Sequence, residues 1–460
     1  MAMNGASWVL AGIVLMACSG ESSSDVPSMG GAGGGAGVAG AAGSGGVAQD
    51  GSASGGGGGT AGSDAGDPDS ATGGAAGMAG VGGSGGSGGT DVHLQPQHHA
   101  SQLLFDPAKD SFNISYHSFR IPSLVRTKKG TLLAFAEGRQ CSHVDFGNIN
   151  LVYKRSTDDG KTWGSLQEVV GAGAGTWGNP TAVVDQDTGT IWLFMSWNPG
   201  DKSQNGGTNP CTNTATSVVG VGDRPVFVST SKDDGVSWSQ PVDMTSTLQP
   251  AGTTWDAVGP GVGIQTTSGR LVIPAIHRNI YSDDHGQSWS YEKLPGGTSE
   301  GTVVELSDGQ LLRNDRAVGS TWNTGKRRWL SRGNIGTAFA DFAPHQTLLD
   351  PRVEGSSIRY SESPHRIVFL NPASTVARCK MRVRLSYDDG KTWPVSRQLH
   401  DKLTADETCQ QKLGGYSSLA RTADDHIGAL SEREDAGNHR SIEFHRFNLS
   451  WIVDGTPEPL

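Results

Sequence analysis

The chain has 460 residues, 68 of them glycine, and a formal net charge of −10. Length alone allows two or three average domains, but from about Gly20 to Thr90 the sequence is nearly all Gly, Ala and Ser, with no aromatic residue. Seven acidic residues (Glu21, Asp25, Asp50, Asp64, Asp67, Asp69 and Asp91) and no Lys or Arg lie in or beside that stretch, so the rest of the chain carries about −3. This excludes the basic face that a nucleic-acid partner requires, yet leaves room for a local arginine cluster that grips a small anion.

The chain starts with an apolar run, Trp8 to Ala17, that stops at Cys18. It has the length of a signal-peptide core and is too short to span a bilayer comfortably. Leu15-Met16-Ala17-Cys18 resembles a bacterial lipobox, in which Cys18 carries lipid, but departs from it in Met16 and in lacking Lys or Arg before the run. The alternative is an ordinary signal peptide with an incidental cysteine. Residues 19–94 bury too little apolar surface to offset their ordering entropy and read as a disordered tether. The expected organisation is therefore a signal segment over 1–18, a linker over 19–94 and one folded domain over 95–460. Such a protein is exported, either as a cell-surface (outer-membrane) lipoprotein touching the membrane only through its anchor or as a secreted one, and is expected to be a monomer.

The folded part opens with Phe119-Arg120-Ile121-Pro122, followed by a strand-like run from Leu132 to Arg139 and by Asp145 six residues later. A second strand-like run, Ile149 to Arg155, leads into Ser156-Thr-Asp-Asp-Gly-Lys-Thr-Trp163, the first of four copies of S-x-D-x-G-x-S/T-W. The others start at Ser231, Ser282 and Ser386, with separations of 75, 51 and 104 residues. The last gap is two periods of about 52 residues and places an eroded copy at Ser331–Phe339. In each copy Asp and Gly supply turn geometry, and the Trp is expected to pack back into the flanking hairpin. Units of this size with short strands and one such turn are propeller blades, so the expected fold is all-β, a six-bladed β-propeller.

Further along come Val258 to Gln265 with Gly269 to Pro274, then Glu300-Gly-Thr-Val-Val-Glu305 running on to Arg316, and then Arg378-Cys-Lys-Met-Arg382. Gly414-Gly-Tyr416-Ser-Ser-Leu419 and a strand from Ile427 to Glu432 follow. The run Ser441 to Trp451 alternates as a strand and is expected to close the ring beside the N-terminal residues. Cys141, Cys211, Cys379 and Cys409 form an even set suited to disulfides in an exported chain; connectivity stays open, and four separate thiols are the alternative. No Cys/His spacing points to zinc.

The eight-residue repeat is similar to the Asp box, and the motifs around it resemble, in order and from about Leu103 to Trp451, those of the bacterial exo-α-sialidase (neuraminidase) family. Sialic acid bears a carboxylate on its anomeric carbon, which planar, permanently charged arginines bind in bidentate fashion. A carboxylate nucleophile would be repelled there, and the family uses a tyrosine instead. The resemblance implies that Arg120, Arg316 and Arg378 bind the substrate carboxylate, with Arg139 beside them. It also implies that Asp145 is the acid/base, Tyr416 the nucleophile, Glu300 its base and Glu432 the brace of Arg120. Arg382 is the runner-up to Arg378, placed on the same face of an expected strand; Glu305 is a minor alternative to Glu300. Neither a cofactor nor a metal is implied, and the partners are sialylated glycoproteins, glycolipids and oligosaccharides. A trans-sialidase, an intramolecular trans-sialidase and a non-catalytic sialic-acid-binding propeller are the alternatives.

Overall fold

The computed structural model describes residues 95–171, 173–320, 325–400, 408–410, 413–434 and 441–458. The signal segment, Cys18 and the linker up to residue 94 lie outside the described residues. Among those described, the chain is strands and turns with little helix, such as Thr245–Leu248 and Leu449–Val453, and no helix is long and apolar enough to cross a membrane.

Antiparallel meanders succeed one another along the chain. The first runs through Ser118–Arg126, Leu132–Arg139, Ile149–Ser156 and Gln167–Val170. It is joined to the second (Thr176–Val184, Ile191–Asn198, Val226–Ser231, Val242–Asp243) at one parallel bridge, Ile149 to Thr176, within a nine-stranded sheet. Sheets of four, five and four strands follow between Ile264 and Gln398. The inner strands are apolar with little alternation because both faces are covered: every residue of Leu132–Arg139 is buried.

The last sheet draws on both ends of the folded part. His99–Phe105 pairs antiparallel with Ser441–Phe447, which continues into Ile427–Arg433 and Ser417–Arg421. The expected strand beside the N-terminal residues is thus present but ends at Phe447, short of Trp451. Asn448 ends it by capping a helix, its side chain accepting from the Trp451 amide at 3.0 Å, while its own Nδ2 donates to the Pro96 carbonyl.

The four repeats fold alike. Ser156 Oγ accepts from the Gly160 amide and donates to Asp158, whose carboxylate takes the amide and hydroxyl of Thr162. The same bonds recur from Ser231, Ser282 and Ser386. The glycine is required twice over. At Gly160 φ is +81°, and a Cβ there would lie 2.4 Å from Phe444. The tryptophans correct one expectation. They pack across to a neighbouring meander, not only into their own hairpin: Trp163 meets Phe444 of the last sheet at 5.0 Å, Trp238 meets Phe135 of the first meander at 5.5 Å and Trp289 meets Phe194 of the second at 4.8 Å, while Trp393 joins a cluster with Val304 and Leu312. Each repeat therefore fastens one meander to another. The eroded copy at Ser331–Phe339 is a hairpin turn as expected, with Gly333 paired to Phe339.

Candidate active site

The described cysteines pair as Cys141–Cys211 and Cys379–Cys409, which removes the alternative of four thiols. Each bridge ties down a segment carrying a site residue: Asp145 follows Cys141, and Arg378 precedes Cys379. The bridges close 70 and 30 residues, and by loop entropy are worth about 3–4 kcal/mol each against the unfolded chain.

At the centre, the Tyr416 hydroxyl donates to Glu300 at 2.6 Å and accepts from Arg316 Nη1 at 2.7 Å. Arg316 Nη1 also reaches the same Glu300 oxygen at 2.5 Å. Glu300 and Arg316 lie on the neighbouring strands Thr298–Glu305 and Leu311–Ala317, and Tyr416 immediately precedes Ser417–Arg421. The nucleophile candidate and its base, 116 residues apart, thus meet through folding alone. Tyr416 packs on Ile121 and Val353, and its backbone is fixed by two buried carboxylates. Its amide donates to Glu432 and the Ser417 amide to Glu354, both at 3.1 Å.

Arg120 is aimed by a distortion in its own strand. The pairing of Ser118–Arg126 with Leu132–Arg139 slips between Arg120 and Ser123, and Ile121 sits at φ +57°. That left-handed conformation is costly for a β-branched residue and is held by surrounding contacts. Among these, Glu432 accepts from Arg120 Nε at 3.1 Å and from the Ile121 amide at 3.0 Å. The expected bracing of Arg120 by Glu432 is therefore a direct contact. On its other side Arg120 Nη1 meets Asp145 at 3.1 Å.

Asp145 also pairs with Arg139 at 2.7 Å, and Arg139 is in turn held by Glu137 at 2.6 and 3.0 Å. Burial would raise the Asp145 carboxyl, but the guanidiniums of Arg139 and Arg120, with Arg378 beyond them, outweigh it and hold the group well below the ordinary carboxylate range. Its side chain is 65% exposed, and the two guanidiniums in direct contact dominate its surroundings. Tyr416 goes the other way. Burial and the neighbouring Glu300 push its hydroxyl well above the usual phenol range, against the pull of Arg316 and Arg378. The site therefore holds a neutral phenol and an ionised Asp145.

Arg378 lies with its guanidinium 5.4 Å from the centre of the Tyr416 ring, and Arg120 at 5.6 Å. The backbone before Arg382 corrects the sequence reading. The strand begins only at Met381 and Lys380 has φ +59°, so Arg378 stands in a loop and shares no strand face with Arg382. Glu305 is far from this chemistry in role: it accepts from the amide and hydroxyl of Thr267 and pairs with Arg359.

Two residues escaped the sequence reading. Glu137, inside the Leu132–Arg139 run, orients Arg139 and accepts from the Asn179 amide at 2.8 Å; its proximity to Arg139 was the available signal. Glu354 is buried, and its carboxyl is raised well above the ordinary value by burial, despite the Ser417 amide and Arg328, with Glu300 and Glu432 adding to the rise. Nothing in its local sequence distinguishes it.

The BNR repeat-like domain matches residues 130–430. The chain is similar to the exo-alpha-sialidase of Aspergillus fumigatus, 46% identical over 368 residues that cover 76% of this chain and 88% of the relative. It is equally similar to that of Arthroderma benhamiae, 46% identical over 386 residues covering 78% and 91%. Both relatives are fungal, so the bacterial part of the resemblance does not rest on them. Among solved structures it is similar to the Hadza microbial sialidase Hz136, with a TM-score of 0.62 and 28% identity over 74% of this chain and 67% of that one.

Proposed function

The chain belongs to the sialidase family, and from that premise we propose that it hydrolyses terminal α-linked sialic acids of glycoproteins, glycolipids and oligosaccharides, with Tyr416 as nucleophile. The observation that carries the mechanism is the Tyr416 hydroxyl seated between Glu300 and Arg316 beneath the guanidiniums of Arg120 and Arg378.

In this reading the substrate carboxylate is bound by Arg120, Arg316 and Arg378. It takes the Arg120 guanidinium that Asp145 contacts, and its negative charge raises the affinity of Asp145 for a proton. Asp145 then delivers that proton to the departing glycosidic oxygen. Tyr416 gives its proton to Glu300 as its oxygen bonds to the anomeric carbon; because the phenol is held neutral, proton loss accompanies attack and does not precede it. In the second step Asp145 removes a proton from water, the water oxygen displaces the tyrosine, and Glu300 returns its proton to the phenolate. Two inversions at one carbon retain the configuration.

The same proposal takes the successive sheets as six blades of a ring fastened by Asp boxes and closed by the pairing of His99–Phe105 with Ser441–Phe447. It also takes Cys18 as a lipidated N-terminus from which residues 19–94 tether the enzyme at the cell surface. Cys18→Ser should then release the protein from the membrane fraction, and an unchanged distribution refutes the anchor.

The deciding experiment is hydrolysis of a fluorogenic sialoside followed by NMR, with methanol as competing acceptor and a 3-fluoro sialosyl fluoride as trap. Retained configuration and label on the peptide containing Tyr416 support the mechanism. Inversion, or label on Glu300, overturns it.

A further inference from the structure

The closing strand Ser441–Phe447 carries a second cluster that the mechanism does not use. Glu443 and His445, two residues apart, share one face of it, and His400 comes in from the loop after Val395–Gln398. One donor atom from each of the three lies within 4.8 Å of the others. His400 Nε2 and His445 Nε2 both face the same oxygen, Glu443 Oε2, at 3.6 and 3.7 Å. These separations are too long for hydrogen bonds, and His445 Nε2 is buried without a hydrogen-bond partner. Neighbouring donors on a tetrahedral zinc ion stand about 3.3 Å apart, given bonds of about 2.0–2.1 Å, so the two gaps to Glu443 close by a few tenths of an ångström and the gap between the imidazoles, within 4.8 Å, closes by side-chain rotation.

We propose that His400 Nε2, Glu443 Oε2 and His445 Nε2 bind one Zn²⁺ ion, with water in the fourth position. Two imidazoles and a carboxylate suit zinc among the common divalent ions. The surroundings supply what such a ligand set needs. His445 Nδ1 is 3.2 Å from His99 Nε2, and the two rings stack in parallel with centroids 5.5 Å apart. With Nε2 on the metal, Nδ1 must carry the proton and donate to His99, which fixes the ring's orientation. His99 is itself stacked on Trp451 at 4.4 Å. The ion would bind the closing strand to the loop of His400 and, through His99, to the first strand of the fold. Its role would be to secure the joint between the chain's ends, apart from catalysis. Arg433 Nη1 stands 3.8 Å from Glu443 Oε2 with its side chain 40% exposed, a competing cation that must turn outward when the metal enters. A similar group, Asp185, Asp187 and His285, carries no such proposal because its carboxylates already accept turn amides, a hydroxyl and Gln265.

The test uses the full chain, stripped with chelator and titrated with ZnCl₂. Metal content after gel filtration should reach one zinc per chain, and the unfolding midpoint should rise by about 3–6 °C in large excess of metal. Glu443→Gln and His400→Ala should lose both effects, and Arg433→Ala should tighten zinc binding several-fold. The stripped chain should turn over a fluorogenic sialoside at the rate of the loaded one. Cobalt(II) should give tetrahedral visible absorption that His445→Gln abolishes. Sub-stoichiometric zinc in the parent chain, or uptake unchanged in both Glu443→Gln and His400→Ala, overturns the proposal; the latter would mean that the ion sits elsewhere.

Discussion

At the scale of single residues, the contacts of Asp145 make a prediction that its sequence position does not. Two guanidiniums depress its carboxyl, whereas the acid step proposed for it needs it protonated. A general acid whose folded-state affinity is lowered loses its proton as pH rises through that low value, so kcat/KM, which reports the free enzyme, should already fall with rising pH where kcat is still flat. Substrate binding offsets the arginines, and kcat should turn down only at higher pH. Parallel profiles for the two constants would mean that the substrate carboxylate leaves Asp145 untouched. Tyr416→Phe should lower kcat by at least about 10²-fold and abolish trapping, while binding of an unreactive sialic acid analogue persists. Arg378→Lys keeps the charge and loses the planar fork, so it should raise KM strongly. Arg382→Lys should leave kinetics nearly unchanged, because the loop before Met381 removes it from the face that Arg378 presents. Equal losses in both variants would shift the third carboxylate ligand away from Arg378.

Secondary elements show the same economy in the repeats and bridges. Each repeat turn has a left-handed glycine against a neighbouring meander, and Gly160→Ala must both adopt φ +81° and push Phe444 aside. The strain and the overpacking together should cost about 2–4 kcal/mol in urea unfolding; a change under about 0.5 kcal/mol would mean that the sheets are not fastened there. Asp158, Asp233 and Asp284 are each brought down to about 2, chiefly by the hydroxyl of Thr162, Ser237 or Ser288. Carboxyls depressed in the folded state lend stability above their unfolded value near 4 and lose it as pH falls toward 2. Acid unfolding below pH 4 should therefore be shallower once all three are asparagine. The bridge beside Arg378 offers a second test. Cys379→Ser should lower stability by about 3–4 kcal/mol and raise KM more than it lowers kcat, since the loop that presents Arg378 loses its tie.

For the whole molecule, the pairing of the first described strand with the last predicts how truncation is tolerated. A chain starting at Gln95 should keep its unfolding midpoint and kcat. One starting at Asp106 strips an edge strand that buries Leu104 and Phe105 and should unfold at lower denaturant. Strand runs, the repeat period, the turn chemistry and the site candidates were legible along the chain because each depends on neighbours within a few residues or on a motif carried intact. Asp, Gly and Trp at fixed spacing dictate a turn wherever they stand, and the charge of a segment is a sum over its residues. What the tryptophans pack against, which cysteines pair and which of Arg378 and Arg382 reaches Tyr416 were decided only by the tertiary structure. So was the presence of Glu354 behind Tyr416. All of these turn on residues tens to hundreds of positions apart, and on a local backbone turn at Lys380 that breaks the alternation by which a strand would have been read.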